Sequence, residues 1–200
     1  LRKSILPIPA RSNSPDLGIA MLTIRPASSS DANRLAEIGL AAWELAVGDW
    51  GENPETLREN AWAAYAYFCA EHWMDILVGE WDGEIAGWGA SENADDLITD
   101  LWVLPDFQNR GIGTHLLARL EQSVAARGYH HARIDTHARN ARAIRLFKEL
   151  GYYVHAYAVA YAPVLDRDVD KVEMVKTFDQ HDELDESLSA DDGLYGVTGR

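Results

Sequence analysis

The chain has 200 residues, 47% of them hydrophobic, with 32 Asp plus Glu against 18 Lys plus Arg and a formal net charge of −14. That length suits one well-buried domain and is short for two, and the acidity argues against nucleic acid as a partner, because phosphates need a basic face. The single cysteine, Cys69, excludes an internal disulfide, and no stretch nears the roughly twenty apolar residues that span a bilayer, so a soluble chain without a membrane partner is expected.

Residues 1–20 are rich in Pro, Ser and Asn without periodicity and read as a flexible N-terminal extension ahead of Met21, itself a plausible natural start. Arg2, Lys3 and Arg11 flank only a short, proline-interrupted apolar stretch, which is not the pattern of a signal peptide, so a cytoplasmic protein is expected. The folded body is expected over 21–178. Leu22 to Pro26 reads as a strand, and Ser29 or Ser30 can cap a helix carrying Leu35, Ile38, Ala42 and Leu45 on one face. Pro54 suits the first turn of a second helix running through Ala61, Tyr65 and Phe68 to about His72. Cys69 on this aromatic-rich helix reads as a buried thiol. Two strands, Asp75 to Trp81 and Glu84 to Ser91, flank the hairpin dipeptide Asp82-Gly83.

A strand from Leu97 to Leu104 follows, then a helix from Ile112 to Arg127 with Leu116, Leu117, Leu120 and Val124, and a strand around Arg133 to His137. After a helix at Ala141 to Leu150, ended by Gly151, strands near Tyr153 to Tyr161 and Val172 to Thr177 close the sheet. The order is β-α-α-β-β-β-α-β-α-β-β, an α/β fold with a mixed central sheet flanked by helices. Residues 179–200 carry seven acids against Arg200 and read as an acidic disordered tail.

Two segments in this body carry chemistry. In Leu101-Trp102-Val103-Leu104-Pro105-Asp106-Phe107-Gln108-Asn109-Arg110-Gly111-Ile112-Gly113-Thr114 an apolar strand stops at a proline and restarts as a glycine-punctuated helix. The first N–H groups of a helix lack intrahelical partners and attract anions, and Gly111 and Gly113 remove side chains that would hold a diphosphate away. The turn lacks the Lys-Ser/Thr ending of a P-loop, which disfavours a nucleotide-binding module. About thirty residues on, Ile134 to His137 leads into Asn140 and a helix with Ala143, Ile144, Phe147 and Leu150 on its apolar face.

Together these segments resemble the GCN5-related N-acetyltransferase (GNAT) superfamily, whose acetyl-CoA motif Q/R-x-x-G-x-G/A is followed by a strand and an N-x-x-A-x-x-x-Y/F-x-x-x-G-F/Y helix. The match is close from Ile98 to Tyr153, and the element order extends it from Met21 to about Phe178. The resemblance implies the acyl-CoA N-acyltransferase fold, acetyl-CoA as cosubstrate and no metal. It places the pantetheine arm in a splay beside Leu101, Trp102 and Val103. The N–H groups from Asn109 to Thr114, Ile112 included, would hold the diphosphate, and the Val103 N–H would stabilise the developing oxyanion. Gln108 and Arg110 would assist at the phosphates, although Arg110 also reads as a solvated turn residue. Asn140 matches the asparagine that bonds the pantetheine arm and equally reads as the N-cap of its helix.

An ammonium acceptor must lose a proton before it can attack, and a carboxylate does this most simply. Asp135 stands where many members carry a glutamate and is the first candidate for the general base; Asp100 on the neighbouring strand is the second. Phe147 departs from the pattern, since that position is often a tyrosine that protonates the leaving thiolate. The ring is expected to pack near the acyl thioester, and Tyr152, Tyr153, Tyr157 or water are left as proton donors. Trp50 with Glu52 and Glu55 would make an aromatic and acidic mouth for an amine. His130, His131 and His137 read as solvated rather than metal-binding.

The function so implied is direct transfer of an acetyl group from acetyl-CoA to a primary amine of a small molecule or peptide. Acetylation of protein N-termini and non-catalytic acyl-CoA sensing are the alternatives. Dimers are common in the superfamily, so a homodimer through the last strands is possible on resemblance.

Overall fold

The computed structural model describes residues 21–49, 53–162 and 164–178. The proposed extension at 1–20 and tail at 179–200 lie outside them. Eight strands and four main helices follow one another as β1 (Leu22–Pro26), α1 (Ala32–Asp49), α2 (Pro54–Glu71), β2 (Ile76–Trp81), β3 (Glu84–Ala90), β4 (Leu97–Ile98), β5 (Asp100–Val103), α3 (Ile112–Ala126), β6 (His131–His137), α4 (Ala141–Glu149), β7 (Tyr153–Ala162) and β8 (Arg167–Thr177). Among the described residues no helix is long and apolar enough to cross a membrane.

Local chemistry sets the element ends. Asp31 accepts from the Ser28 N–H at 2.8 Å and the Ser28 hydroxyl at 2.9 Å, so the chain enters α1 through a short 3-10 turn over Ser29–Asp31, one residue earlier than the serines chosen from the sequence. Asn53 caps α2 by accepting from the Glu55 N–H, and Pro54 occupies its first turn. Asp82 and Gly83, at φ 52° and 83°, make the two-residue hairpin between β2 and β3. Within α1 the buried face runs through Leu35, Ala36, Trp43 and Val47, and Leu45 is 40% exposed, because the core stripe is centred to one side of the predicted one.

The predicted strand over Leu97 to Leu104 is two strands. β4 pairs in parallel with β6 through Leu97↔Arg133 and Ile98↔Ile134, whereas β5 pairs antiparallel with β3. The break falls at Thr99, whose N–H donates to the Ala90 carbonyl at 2.9 Å and so hands the chain from one neighbour to the other. Two four-stranded sheets result, ordered β1-β2-β3-β5 and β4-β6-β8-β7. Their junction is clamped by Arg133, which donates from Nε to both Asp96 oxygens at 3.0 Å and from Nη2 at 2.8 Å, while its N–H donates to the Asp96 carbonyl. Asp96 is 7% exposed, and the guanidinium hydrogen bonds hold its carboxyl below the usual carboxylate range.

One core lies between α1, α2 and the first sheet around Leu35, Ile38, Tyr65 and Val78, and includes Leu165 and Val169 from the end of the β7–β8 hairpin. At its centre Trp88 is fully buried and donates from Nε1 to the Leu35 carbonyl at 2.8 Å. A second core joins α3 and α4 to β6 and β8 through Leu117, Leu120, Ile134, Phe147 and Met174. Helix α3 lies close on the first sheet because β2 and β3 present glycines beneath it. A Cβ on Gly79 would meet Ile112 Cγ2, and one on Gly89 would meet Leu120 Cδ1, each at 2.8 Å.

Gly87 has a stricter limit, since its Cβ would stand 2.8 Å from the Trp102 carbonyl oxygen, a backbone atom of β5. Gly87→Ala is therefore expected to destabilise by about 1–3 kcal/mol. Gly48→Ala, in open space on α1, is expected to stabilise by about 0.5–1 kcal/mol. Paired denaturant titrations check both signs.

Candidate functional site

The switch at Thr99 opens a gap. The parallel pairing of β4 with β6 covers two residues, after which β5 turns to β3 and the end of β6, from Asp135 to His137, pairs only with β8. In an antiparallel ladder alternate residues point their backbone groups at the partner strand. Leu104 donates to Ala86 across that ladder, so Leu101 and Val103 direct theirs the other way, into the gap. The Val103 carbonyl is taken there by Gln108 Nε2 at 3.1 Å. A cleft of about 370 Å³ occupies the splay, lined by Leu101, Trp102 and Val103, by the turn through Gln108, Asn109, Gly111, Ile112, Gly113 and Thr114, by α4, and by Ala42 and Ala46 of α1.

The turn delivers an anion site to one end of that cleft. Asn109 and Gly111 are left-handed, at φ 61° and 81°, and Gly111 is the N-cap of α3. The first α3 donor with an internal partner is His115, whose N–H reaches the Gly111 carbonyl at 3.0 Å. The N–H groups of Ile112, Gly113 and Thr114 precede it and carry the positive end of the helix dipole. A Cβ on Gly113 would lie 3.6 Å from Val103 Cγ2, an ordinary contact, so the protein's own packing does not require glycine there. Arg110 is not on the cleft wall. Its guanidinium lies over the rings of Phe107 and Trp81, at 5.0 and 5.5 Å, and donates to the Asp106 carbonyl.

Helix α4 forms the opposite wall. Asn140 caps it by accepting from the Ala143 N–H at 3.1 Å and donates from Nδ2 to Thr136 Oγ1, so the capping reading holds and the side chain also borders the cleft. Arg142, Arg145, Leu146 and Glu149 line it as well and were missed in the sequence. Helical spacing from Asn140 held the signal, because these positions share the face beside the apolar one. Phe147 is 4% exposed in the core beneath, tilted against Tyr152 at 5.9 Å, and does not border the cleft.

The two candidate carboxylates share one side of the sheet. Ala132 and Ile134 are buried with α3 and α4, so alternation turns Arg133, Asp135 and His137 to the side of α1 and α2. Asp100 and Trp102 face the same side, with Trp102 edge-on to Tyr65 of α2 at 5.5 Å. Asp100 accepts from Trp102 Nε1 at 2.8 Å. Burial, with Glu92 nearby, pushes its carboxyl up to about 6 against the hydrogen bonds from Trp102 and Thr99 and the charge of Lys171. Asp135 is solvent-exposed. Desolvation raises its carboxyl, Lys171 and Arg133 oppose this and Glu173 adds to it.

The remaining candidates are dispersed. Trp50 and Glu52 lie outside the described residues. Glu55 is exposed at the start of α2. Tyr153 and Tyr157 are 52% and 74% exposed on β7, and Tyr152 is buried under the Lys176 ammonium. Cys69 is fully buried, and burial pushes its thiol up to about 12, which removes it as a nucleophile. His131 Nε2 sits 2.7 Å from Asp96 in the junction clamp. Among the described residues no group of three His, Cys, Asp or Glu side chains is placed to hold a metal.

Comparison with known proteins adds the following. The family model for the acetyltransferase (GNAT) family matches residues 35–152. The fold is similar to the crystal structure of a GCN5-related N-acetyltransferase from Rhodopseudomonas palustris, at 25% identity and a TM-score of 0.65 over 78% of this chain and 95% of that one. It is similar to PaiA N-acetyltransferase from Thermoplasma acidophilum in complex with coenzyme A, at 18% identity and a TM-score of 0.65 over 79% and 99%. YncA from Salmonella typhimurium with its cofactor acetyl-CoA matches at 25% identity and a TM-score of 0.56 over 80% and 96%. Curated protein sequences hold no match.

The raised Asp100 carboxyl gives the site a signature in stability. Between about pH 4, the ordinary carboxyl range, and about pH 6, the native chain holds a proton that the unfolded chain has released, so stability falls as pH rises through that window. Asp100→Asn keeps an acceptor for Trp102 and removes the charge. Thermal denaturation is expected to show the variant gaining on wild type across this window and exceeding it at higher pH; a gain by wild type instead would contradict the burial of this carboxyl.

Proposed function

The chain belongs to the GNAT acetyltransferase family, whose members depend in general on acetyl-CoA, and from that premise we propose that it moves the acetyl group of acetyl-CoA directly to a primary amine of a small molecule or peptide. The observation that carries this reading is the splay itself. A β5 edge at Leu101 and Val103 that no strand pairs, only its Val103 carbonyl being taken by Gln108, runs to a helix N-terminus left free of side chains at Gly111 and Gly113. A long ligand with amide groups along its arm and a diphosphate at its end fits that succession of open backbone donors and acceptors. Leu101 and Val103 hold the amides, Ile112, Gly113 and Thr114 hold the diphosphate, and Asn140 meets the arm with the hydrogen-bonding capacity left by its cap.

The thioester supplies an activated acyl carbon and a good leaving group. The Val103 N–H faces the position where charge develops on the carbonyl oxygen. The amine nitrogen bonds to the acyl carbon as the C–S bond breaks, and the acceptor's proton goes to a carboxylate. Asp100 is not itself on the cleft wall but adjoins its residues Leu101 and Trp102, so it would take the proton through a bridging water, and a base poised near 6 is both ionised at neutral pH and basic enough to accept. Asp135, on the same side and exposed, draws the cationic acceptor in. An ordinary thiol has a pKa near 8.5, so water suffices to protonate the departing thiolate. That agrees with Phe147 in the core and no described tyrosine on the cleft wall. The strongly acidic composition suits a cationic acceptor.

Gly113→Ala separates a ligand's need from the protein's. With only an ordinary Val103 contact in its way, the variant is expected to keep or raise its melting temperature while calorimetry shows acetyl-CoA binding weakened at least about tenfold. Binding unchanged in a folded variant would sink the diphosphate assignment.

Turnover tests the transfer itself. With a panel of small amines and peptides, kcat/KM is expected to rise with pH to a plateau through about 6, the value at which Asp100 ionises. Asp100→Asn is expected to lose at least about 100-fold together with that limb, whereas Asp135→Asn retains the limb. The reverse pattern would move the base to Asp135, and tight binding without turnover of any amine class would make the protein an acyl-CoA sensor.

A further inference from the structure

The cleft wall holds two cations that have no counter-ion among the described residues. Arg142 and Arg145 are exposed on α4 and line the cleft, and neither makes a hydrogen bond or ion pair among the described residues. Arg25, Arg34, Arg58 and Arg133 are engaged in ion pairs and Arg110 lies against two rings; the Arg119 side chain is exposed and unpaired among the described residues as well but does not line the cleft, so Arg142 and Arg145 are distinguished by standing together on its wall. With acids outnumbering basic residues by fourteen, a chain that leaves two neighbouring guanidiniums unpaired within one concave surface has directed them at something anionic.

Resting on the acetyl-CoA reading above, we propose that Arg142 and Arg145 form the subsite for the 3′-phosphate of the CoA nucleotide. They make the protein select CoA thioesters over 3′-dephospho-CoA thioesters. The diphosphate already has the open N–H groups of Ile112, Gly113 and Thr114, which leaves the ribose 3′-phosphate as the cofactor's remaining anionic group. It is a monoester that approaches a double negative charge, for which a planar guanidinium fork is the matching donor. Positions 142 and 145 are three apart on one helix face, so both forks reach one group. The arginine that the sequence motif offered for phosphates, Arg110, is turned to Phe107 and Trp81, and α4 supplies the charge in its place. Glu149, the acid on the same stripe, leaves it net positive.

The test measures binding and kcat/KM for acetyl-CoA and for acetyl-3′-dephospho-CoA, in wild type and in Arg142→Ala/Arg145→Ala, with Arg142→Gln and Arg145→Gln as single variants and melting temperatures for each. Wild type is expected to prefer acetyl-CoA by at least about tenfold, the scale of one charge-assisted hydrogen bond. The double variant is expected to lose most of that preference while its affinity for the dephospho cofactor stays unchanged, and each single variant to fall between. An undiminished preference in the double variant, or an equal loss for both cofactors, would overturn the proposal. Wild type that binds both cofactors equally also overturns it and leaves the transferase reading standing, whereas wild type that binds neither removes that reading first.

Discussion

Two parallel residue pairs, Leu97 with Arg133 and Ile98 with Ile134, hold the two halves of the sheet together, and the functional cleft exists because the pairing stops there. Such a short ladder is weak by itself. Its register is secured by Asp96, from which Arg133 draws a bidentate side-chain interaction and a backbone hydrogen bond, with His131 and Glu173 completing the group. Thr99 then carries the chain across to Ala90. Strand β5 is left with one satisfied edge and one open edge, a row of backbone groups that a sheet normally buries and that here awaits another chain or ligand.

The approach of α3 to the first sheet is the second constraint. Because Gly79 and Gly89 leave no Cβ to spare, the helix settles deeply enough on β2 and β3 for Ile112 and Leu116 to be fully buried. That depth aims the first turn of α3 at the end of the β5 edge. The left-handed Asn109 and Gly111 make the reversal before it compact. Glycine thus has two roles in the same stretch of structure: beneath the helix it admits the protein's own side chains, and at its start it keeps side chains out.

Charge is distributed to match. The side of the sheet that faces α1 and α2 holds Asp100 and Asp135 with Lys171 acting on both, while the α4 wall of the cleft holds Arg142 and Arg145, unpaired among the described residues. Under the proposed transfer, an anionic cosubstrate and a cationic acceptor would meet opposite local fields, even though the chain as a whole is acidic. Burial, outweighing the hydrogen bond from Trp102, keeps Asp100 less acidic than a surface aspartate and so more capable of holding a proton.

The sequence by itself determined the elements and their order, apart from the one strand read over Leu97 to Leu104, because apolar periodicity, Asp82-Gly83 and Pro54 act through nearest neighbours. It also determined the glycine turn from Gln108 to Thr114 and the cap at Asn140, whose chemistry is written in backbone conformation and helix ends. The family motif was legible for the same reason. What only the tertiary structure decided depends on partners distant in the chain. The division of Leu97 to Leu104 between two sheets is a choice between Ile134 and Ala90 as neighbours, and no local pattern records it. Arg110 turned to Trp81, Phe147 sunk below the cleft, Arg142 and Arg145 raised onto its wall, and Asp100 made less acidic by burial all follow from which element packs beside which. Local sequence specifies the hydrogen bonds a segment makes with itself, whereas burial and electric field are properties of the assembled surroundings.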